Sequence, residues 1–316
     1  MRRLSSATLW LISAMLTATA SACQEESLVL GDGRSTLDSG AERDASADAS
    51  NDASEPDPAV PSFSEPTLIE ALAGGEDDGD DDPSLNEALT WIVFNSTREG
   101  GAGDEDIWFS RRDSASDPWA APQPATALNS DARETGMALS EDGLTIYWSS
   151  DRDGGAGGLD IYSSERATLE GPWSEPEAVS ALNSDGDDLI SAVRDGQLAL
   201  LSRRDGDTDY HLWWARRDGP LDAWLTPTPI DEISSSGDSD PFVVGEGTQL
   251  LFSREGDLYI AERASEDAPF GEPSPLPTLN SDDEDTDPWS DRDLTYIVFA
   301  SDRSGEDRLY EARRTP

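Results

Sequence analysis

The chain has 316 residues, 67 acidic against 22 basic, for a formal charge of −45, and every basic residue is Arg. That balance excludes a protein that grips nucleic-acid phosphates, which needs a basic face. A single Cys (Cys23) and a single His (His211) also exclude a disulfide framework, a Cys-ligated zinc site and HExxH metalloprotease chemistry.

In chain order the first element is a leader. Arg2 and Arg3 precede the apolar run 7–18, and the small residues 18–22 lead into Cys23. A charged start, a short apolar core and a small-residue cleavage site predict a secretory signal over 1–22, too short for a membrane span. The segment resembles the lipobox of bacterial lipoproteins, in which the Cys becomes the lipidated first residue of the mature chain. It departs from that family at Ala20, where Leu is preferred. Ala20-Ser21-Ala22 also satisfies the plain A-x-A rule, so free secretion with an unpaired Cys23 is the alternative. Removing residues 1–22 takes away Arg2 and Arg3 and moves the formal charge from −45 to −47. The resemblance implies an exported outer-membrane lipoprotein, periplasmic or surface-facing, touching the membrane only through its anchor.

Residues 24–60 carry ten acidic residues, two Arg and no aromatic residue. Such a segment cannot bury enough apolar surface to offset chain entropy, so 23–60 reads as the anchor Cys plus a disordered acidic tether. Taken as a random coil, it would hold a domain about 30–35 Å from its anchor.

From residue 61 the chain repeats itself. An aromatic–x–x–Pro step recurs at Phe63–Pro66, Trp119–Pro122, Trp173–Pro176, Trp224–Pro227 and Phe270–Pro273, at spacings of 56, 54, 51 and 46 residues. Each is followed by an acidic turn, a β-rich run such as 144–152 or 294–303, a polar or Gly-rich loop and a second strand such as 106–112. Apolar and polar residues alternate in these runs, without helical periodicity. Four strands (A to D) per repeat of about 50 residues describe a propeller blade. The chain opens with a lone D strand (61–72) and closes with an A–B–C set near 285–314, so the two complete one blade. The reading is therefore an all-β, five-bladed β-propeller over 61–316, with four antiparallel strands per blade. Its N-terminal strand completes the last blade and leaves no open edge.

Strings such as WSEPEAVSALNSDGDD, SEDGLTIYWSSDRDGGAGGLDIY and SDPFVVGEGTQLLFSREGDLYIAE resemble the WD-repeat-like β-propeller repeats of the TolB type. That resemblance covers nearly all of 61–316 and implies a bacterial envelope protein. It departs from TolB itself, whose propeller has six blades and follows an α/β domain without counterpart here.

Aligning the blades puts an acid at the start of each A strand (Asp80, Glu134, Asp187, Asp238, Asp285) and an Arg beyond each B strand (Arg98, Arg152, Arg204, Arg254, Arg303). In a propeller the A strands line the channel, so the acids should ring one mouth. One reading is an acid–Arg pin in each blade, since the guanidinium fork matches a carboxylate. The other is a carboxylate ring able to hold Ca²⁺ or a cationic partner. The surrounding D–A loops are also acidic, which would steer cations and repel anionic polymers, although acidity of this kind equally marks adaptation to high salt. The Gly-rich loops 99–106 and 153–160 precede strands instead of helices and so do not fit a phosphate cradle. They read as flexible rim loops.

The chain has no GxSxG motif and no room for a second catalytic domain. The carboxylate candidates all sit at repeat positions, whereas a catalytic pair should break the repeat. The expectation is thus a monomeric, non-catalytic scaffold for an envelope protein, peptide or glycan, Ca²⁺-assisted if the ring binds metal. The alternative is a five-bladed glycoside hydrolase with its carboxylates in the channel mouth.

Overall fold

The computed structural model describes residues 60–205 and 208–316; Cys23, the leader and the tether calculated above lie outside the described residues. The first strand, β1 (Thr67–Leu68), stands alone in sequence. The first blade then comprises β2 (Asp80–Leu85), β3 (Trp91–Ser96), β4 (Asp106–Arg111) and β5 (Gln123–Pro124). The second comprises β6 (Glu134–Leu139), β7 (Thr145–Ser150), β8 (Asp160–Glu165) and β9 (Glu177–Ala178). The third is β10 (Asp187–Arg194), β11 (Leu198–Arg204), β12 (His211–Arg216) and β13 (Thr228–Pro229). The fourth is β14 (Asp238–Val244), β15 (Gln249–Arg254), β16 (Asp257–Glu262) and β17 (Ser274–Pro275). The fifth runs β18 (Asp285–Ser290), β19 (Tyr296–Ser301), β20 (Arg308–Arg313) and then back to β1.

This is the expected five-bladed propeller, every sheet antiparallel and four-stranded. Closure joins the two ends of the repeat region: β1 pairs with β20 in the register Thr67↔Glu311 and Leu68↔Tyr310. Ser64 N–H donates to Arg313 O (2.8 Å), Ile69 N–H to Leu309 O (2.9 Å) and Thr315 N–H to Ser62 O (2.8 Å). The outer edge of the fifth blade is thereby covered.

The second strand of each blade lies between its neighbours, so both its faces are dry. Accordingly WIVFNS (β3) and YIVFAS (β19) are buried at every residue. The recurring aromatic–x–x–Pro step has a physical role that spacing alone does not reveal. Trp119, Trp173, Trp224 and Phe270 lie beneath the guanidinium groups of Arg112, Arg166, Arg217 and Arg263, at 4.0, 4.3, 4.2 and 4.3 Å from ring centroid to Cζ. The Nε of each Arg donates to a carbonyl in the turn after the inner strand: Leu89, Gly143, Gly196 or Gly247. A flat cation stacked on an aromatic ring, with its edge bonded to backbone, ties the outer strand to the inner turn.

The Gly-rich loops are anchored instead of free. Asp106 accepts the N–H groups of Ala102 and Gly103, and Asp160 those of Ala156 and Gly157. A Cβ on Gly101 or Gly155 would fall 1.8 or 1.9 Å from the carboxylate that each loop wraps, which is why glycine stands there.

Candidate active site in the central channel

The five inner strands begin with the acids expected at the mouth. Asp80, Glu134, Asp238 and Asp285 are fully buried, each facing its own Arg: Arg98, Arg152 (2.7 Å), Arg254 (2.7 Å) and Arg303. The same guanidinium groups also donate to turn carbonyls at Leu72, Leu128, Ile233 and Leu279. In the third blade the register differs from the sequence alignment by one. Asp188, not Asp187, is the fully buried acid, and its partner is Arg203, not Arg204. Asp187 and Arg204 form a second, more exposed pair beside it. Two adjacent Asp face two adjacent Arg across that hairpin, so a shift of one residue left the sequence pattern unchanged.

Two residues further along each inner strand the five-fold repeat breaks. Here every inner strand carries an irregularity in its pairing, between Asp81 and Ser84, Thr135 and Ala138, Ile190 and Ala192, Ser239 and Phe242, and Thr286 and Trp289. The bulge places Asp82, Asp240 and Asp287 in the channel from three blades, and leaves Gly136 and Ser191 at the corresponding bulges of the other two. Asp82, Asp240 and Asp287 have φ of 50°, 55° and 53°, a left-handed conformation that Asp tolerates better than most residues. Pro follows each, and its missing N–H suits a bulge position that has left the ladder. Gly136 (φ 60°) has no room for a side chain, since a Cβ would lie 2.9 Å from Ile190 O.

Asp82, Asp240 and Asp287 come from three adjoining blades, the fourth, the fifth and the first. One oxygen of each lies within 4.8 Å of one oxygen of the others. Asp82 Oδ2 accepts Thr135 Oγ1–H (2.8 Å) and Gly136 N–H (2.7 Å). Asp240 Oδ2 accepts from Ser239 Oγ (2.6 Å), and Asp287 Oδ2 from Thr286 Oγ1 (2.8 Å). Burial and the neighbouring Asp82 charge push Asp240 up to about 6. Burial, then Asp240, Asp82 and Asp81, raise Asp287 well above the ordinary carboxylate range. Three like charges at this spacing cannot all ionise without penalty, so the cluster holds a proton where isolated carboxylates would not.

The rim on this side is mostly acidic. Asp81 is raised by burial and by Asp82, Glu105 and Asp307, and one of its oxygens is buried without a hydrogen-bond partner among the described residues. Glu105 holds Asn95 and the half-exposed Arg133. His211 begins β12, its Nδ1 3.4 Å from Ser234 Oγ. Beyond the three carboxylates the channel becomes apolar: a cavity of about 50 Å³ is lined by Leu85, Leu139, Val193, Phe242 and Trp289 among others. At its far end stands Arg292, which reaches Glu141 (3.1 Å), Asp195 (2.8 Å) and Glu246 (3.8 Å) on three other blades.

No protein-family model matches the chain, and no curated protein matches it in sequence. Solved structures do match in fold. One is the α-L-arabinofuranosidase of Podospora anserina in complex with cellotriose, at TM-score 0.54 and 10 % identity over 81 % of this chain and 98 % of that one. Another is the α-L-arabinofuranosidase of Lactobacillus brevis, at 0.50 and 12 %, covering 78 % and 94 %. A GH62 hydrolase in complex with xylotriose gives 0.50 and 12 %, covering 79 % and 96 %. At these identities the likeness shows a shared fold. It corrects the TolB-type, WD-repeat-like resemblance, because the similar structures are five-bladed glycoside hydrolases and only the propeller is held in common. The expectation of a non-catalytic scaffold rests on finding no carboxylates that break the repeat. Asp82, Asp240 and Asp287 do break it, and the scaffold reading falls.

Proposed function

We propose that this chain is a glycoside hydrolase acting on a neutral glycan at the acidic mouth of the channel, with Asp82, Asp240 and Asp287 as its carboxylates. The observation that carries this reading is their convergence within 4.8 Å at the inner-strand bulge, where the five blades do not share one residue. Glycosidic cleavage needs one carboxyl that keeps its proton and one that accepts or attacks. Asp287, raised furthest, suits the acid: its proton passes to the glycosidic oxygen as the bond to the anomeric carbon breaks. Asp82, held by Thr135 and Gly136, suits the group that attacks that carbon from the other side. Water then releases the sugar, with the Asp287 carboxylate taking its proton. Asp240 lies beside both and helps to keep the proton on Asp287. Oxygens this close suit the retaining class, whose carboxyl groups stand about 5 Å apart. A neutral substrate follows from the charge, since an anionic polymer would be repelled from this mouth. The similar structures with cellotriose and xylotriose support a glycan as ligand. The leader-like start and Cys23 support export and lipid anchoring in the envelope.

The test is turnover of a panel of arabinosides and xylosides with the anomeric outcome read by NMR. Asp82→Asn and Asp287→Asn should each lower kcat/KM by about 10²–10⁴-fold while the fold persists. Absence of turnover across the panel by a folded wild type would overturn the reading. A second reading draws on the same spacing: three carboxylates can hold a hard cation such as Ca²⁺, which would offset their mutual repulsion. A melting temperature that does not rise in millimolar Ca²⁺ would remove it.

A further inference from the structure

The far mouth of the channel mixes Arg with acids, and it bears a cleft independent of the three channel carboxylates. In a chain this poor in basic residues, four Arg line one cleft of about 300 Å³: Arg194, Arg216, Arg217 and Arg292. Arg194 and Arg292 are not part of the repeated Arg positions: counted from the buried acid of each blade, Arg194 stands where others have Asn86, Ser140, Val244 or Asp291, and Arg292 where others have Glu87, Glu141, Asp195 or Gly245.

Both converge on one atom. Glu141 Oε1 lies 3.3 Å from Arg194 Nε and 3.1 Å from Arg292 Nη2. Arg194 Nη1 donates to Val243 O (3.3 Å), but its Nη2 is buried and has no hydrogen-bond partner among the described residues. An unpaired buried donor on a charged group is expensive, and the Glu141 oxygen that Arg194 shares with Arg292, with Asp195 4.0 Å from Arg194 Nε, leaves Arg194 Nη2 without an acceptor. Burial, followed by the charge of Arg292, accordingly lowers Arg194 from its ordinary range. On the same wall Arg217 has no acidic partner at bonding distance among the described residues: its bonds go to Gly196 O, Asp222 O and Tyr147 Oη. The facing acids are Asp195, Glu246 and Glu266. Asp195 is bound to Arg292 and Glu266 to Arg216 (2.6 Å), whereas Glu246 is largely solvated.

We propose that this cleft binds a small oxyanion, a carboxylate or sulfate group, between Arg194 and Arg292. Glu141 already displays the chemistry on one side, and a second oxyanion supplies the acceptor that Arg194 Nη2 lacks. Planar guanidinium forks match both groups bidentately. The occupant is a free anion or the acidic substituent of a glycan.

Isothermal titration of the intact chain with sodium sulfate, acetate and glucuronate, at constant ionic strength set with chloride, tests this. Saturable binding near the millimolar range is expected, about −4 kcal/mol, weakened at least tenfold in Arg194→Gln and in Arg292→Gln. Tighter binding of glucuronate than acetate identifies a sugar acid, and the reverse or equal order identifies a free anion. Because Arg194 is largely buried, Arg292→Gln is the variant that keeps the test decisive if Arg194→Gln does not fold. No saturable heat from any of the three anions, or equal affinity in wild type and Arg292→Gln, would overturn the proposal. Glycoside turnover at the opposite mouth is read separately, so either proposal can fail without the other.

Discussion

The two ends of one channel are built from the same five strands yet carry different chemistry. At the entering end, carboxylates outnumber their partners and share protons. At the leaving end, four Arg gather with the acids Glu141, Asp195, Glu246 and Glu266, and one guanidinium nitrogen of Arg194 is left without a partner among the described residues. Each arises where the blades differ: three carry Asp at the bulge where two have Gly136 or Ser191, and Arg292 stands in an inner turn where other blades have Glu87, Glu141 or Asp195. A repeat supplies a rigid ring, and specific chemistry arises where its members differ. The buried acid–Arg pairs, by contrast, occur once in every blade and hold the ring itself together.

That contrast can be broken most severely at a pin. Asp285→Ala leaves Arg303 facing a dry turn, and should cost about 3–5 kcal/mol in chemical denaturation, far more than any change at either mouth. The next effect depends on pH. Folding raises Asp240 and Asp287, so the native chain binds protons that the unfolded chain releases, and stability falls as pH climbs from the ordinary carboxylate range through about 6. Asp240→Asn should therefore stabilise the protein by about 1–3 kcal/mol at pH 8 and leave it unchanged near pH 4; a flat difference between wild type and variant would contradict the shared-proton picture. The smallest effect is expected at Glu246, which is 85 % exposed and 3.8 Å from Arg292. Glu246→Gln should change stability by less than about 0.5 kcal/mol. The same substitution should tighten sulfate binding at the far mouth, because it removes a competing acid.

Much of this was legible in residue order. The aromatic–x–x–Pro spacing gave the blade count, and the lone strand at 61–72 gave the closure, because hydrogen-bonded edges must be satisfied. The Arg partners of Asp80, Glu134, Asp238 and Asp285 were also visible. Asp187 was chosen over Asp188 because burial, which distinguishes them, has no signature in a run of two acids. The channel carboxylates left a trace that could have been read: Asp–x–Asp–Pro occurs at 80–83, 238–241 and 285–288, whereas the other two blades have Glu-Thr-Gly-Met and Asp-Leu-Ile-Ser. Attention to the first acid of each strand, the repeated one, hid the third residue, which is not repeated. Arg194 and Arg292 left no such trace, since they lie 98 positions apart and meet only across the ring.

Local pattern determined what is periodic: strand type, blade number, the order of the strands and the pairing of one acid with one Arg in each blade. These depend on contacts between neighbours in sequence, which alternation and spacing encode directly. Which side chains face one another across the channel was decided only by closing the ring. A bulge turns Asp82, Asp240 and Asp287 inward, and closure brings residues from the first, fourth and fifth blades within a few ångströms. Proton sharing, the unpaired donor on Arg194 and the apolar gap between them are consequences of that convergence, because burial and Coulomb repulsion act through space and not along the chain.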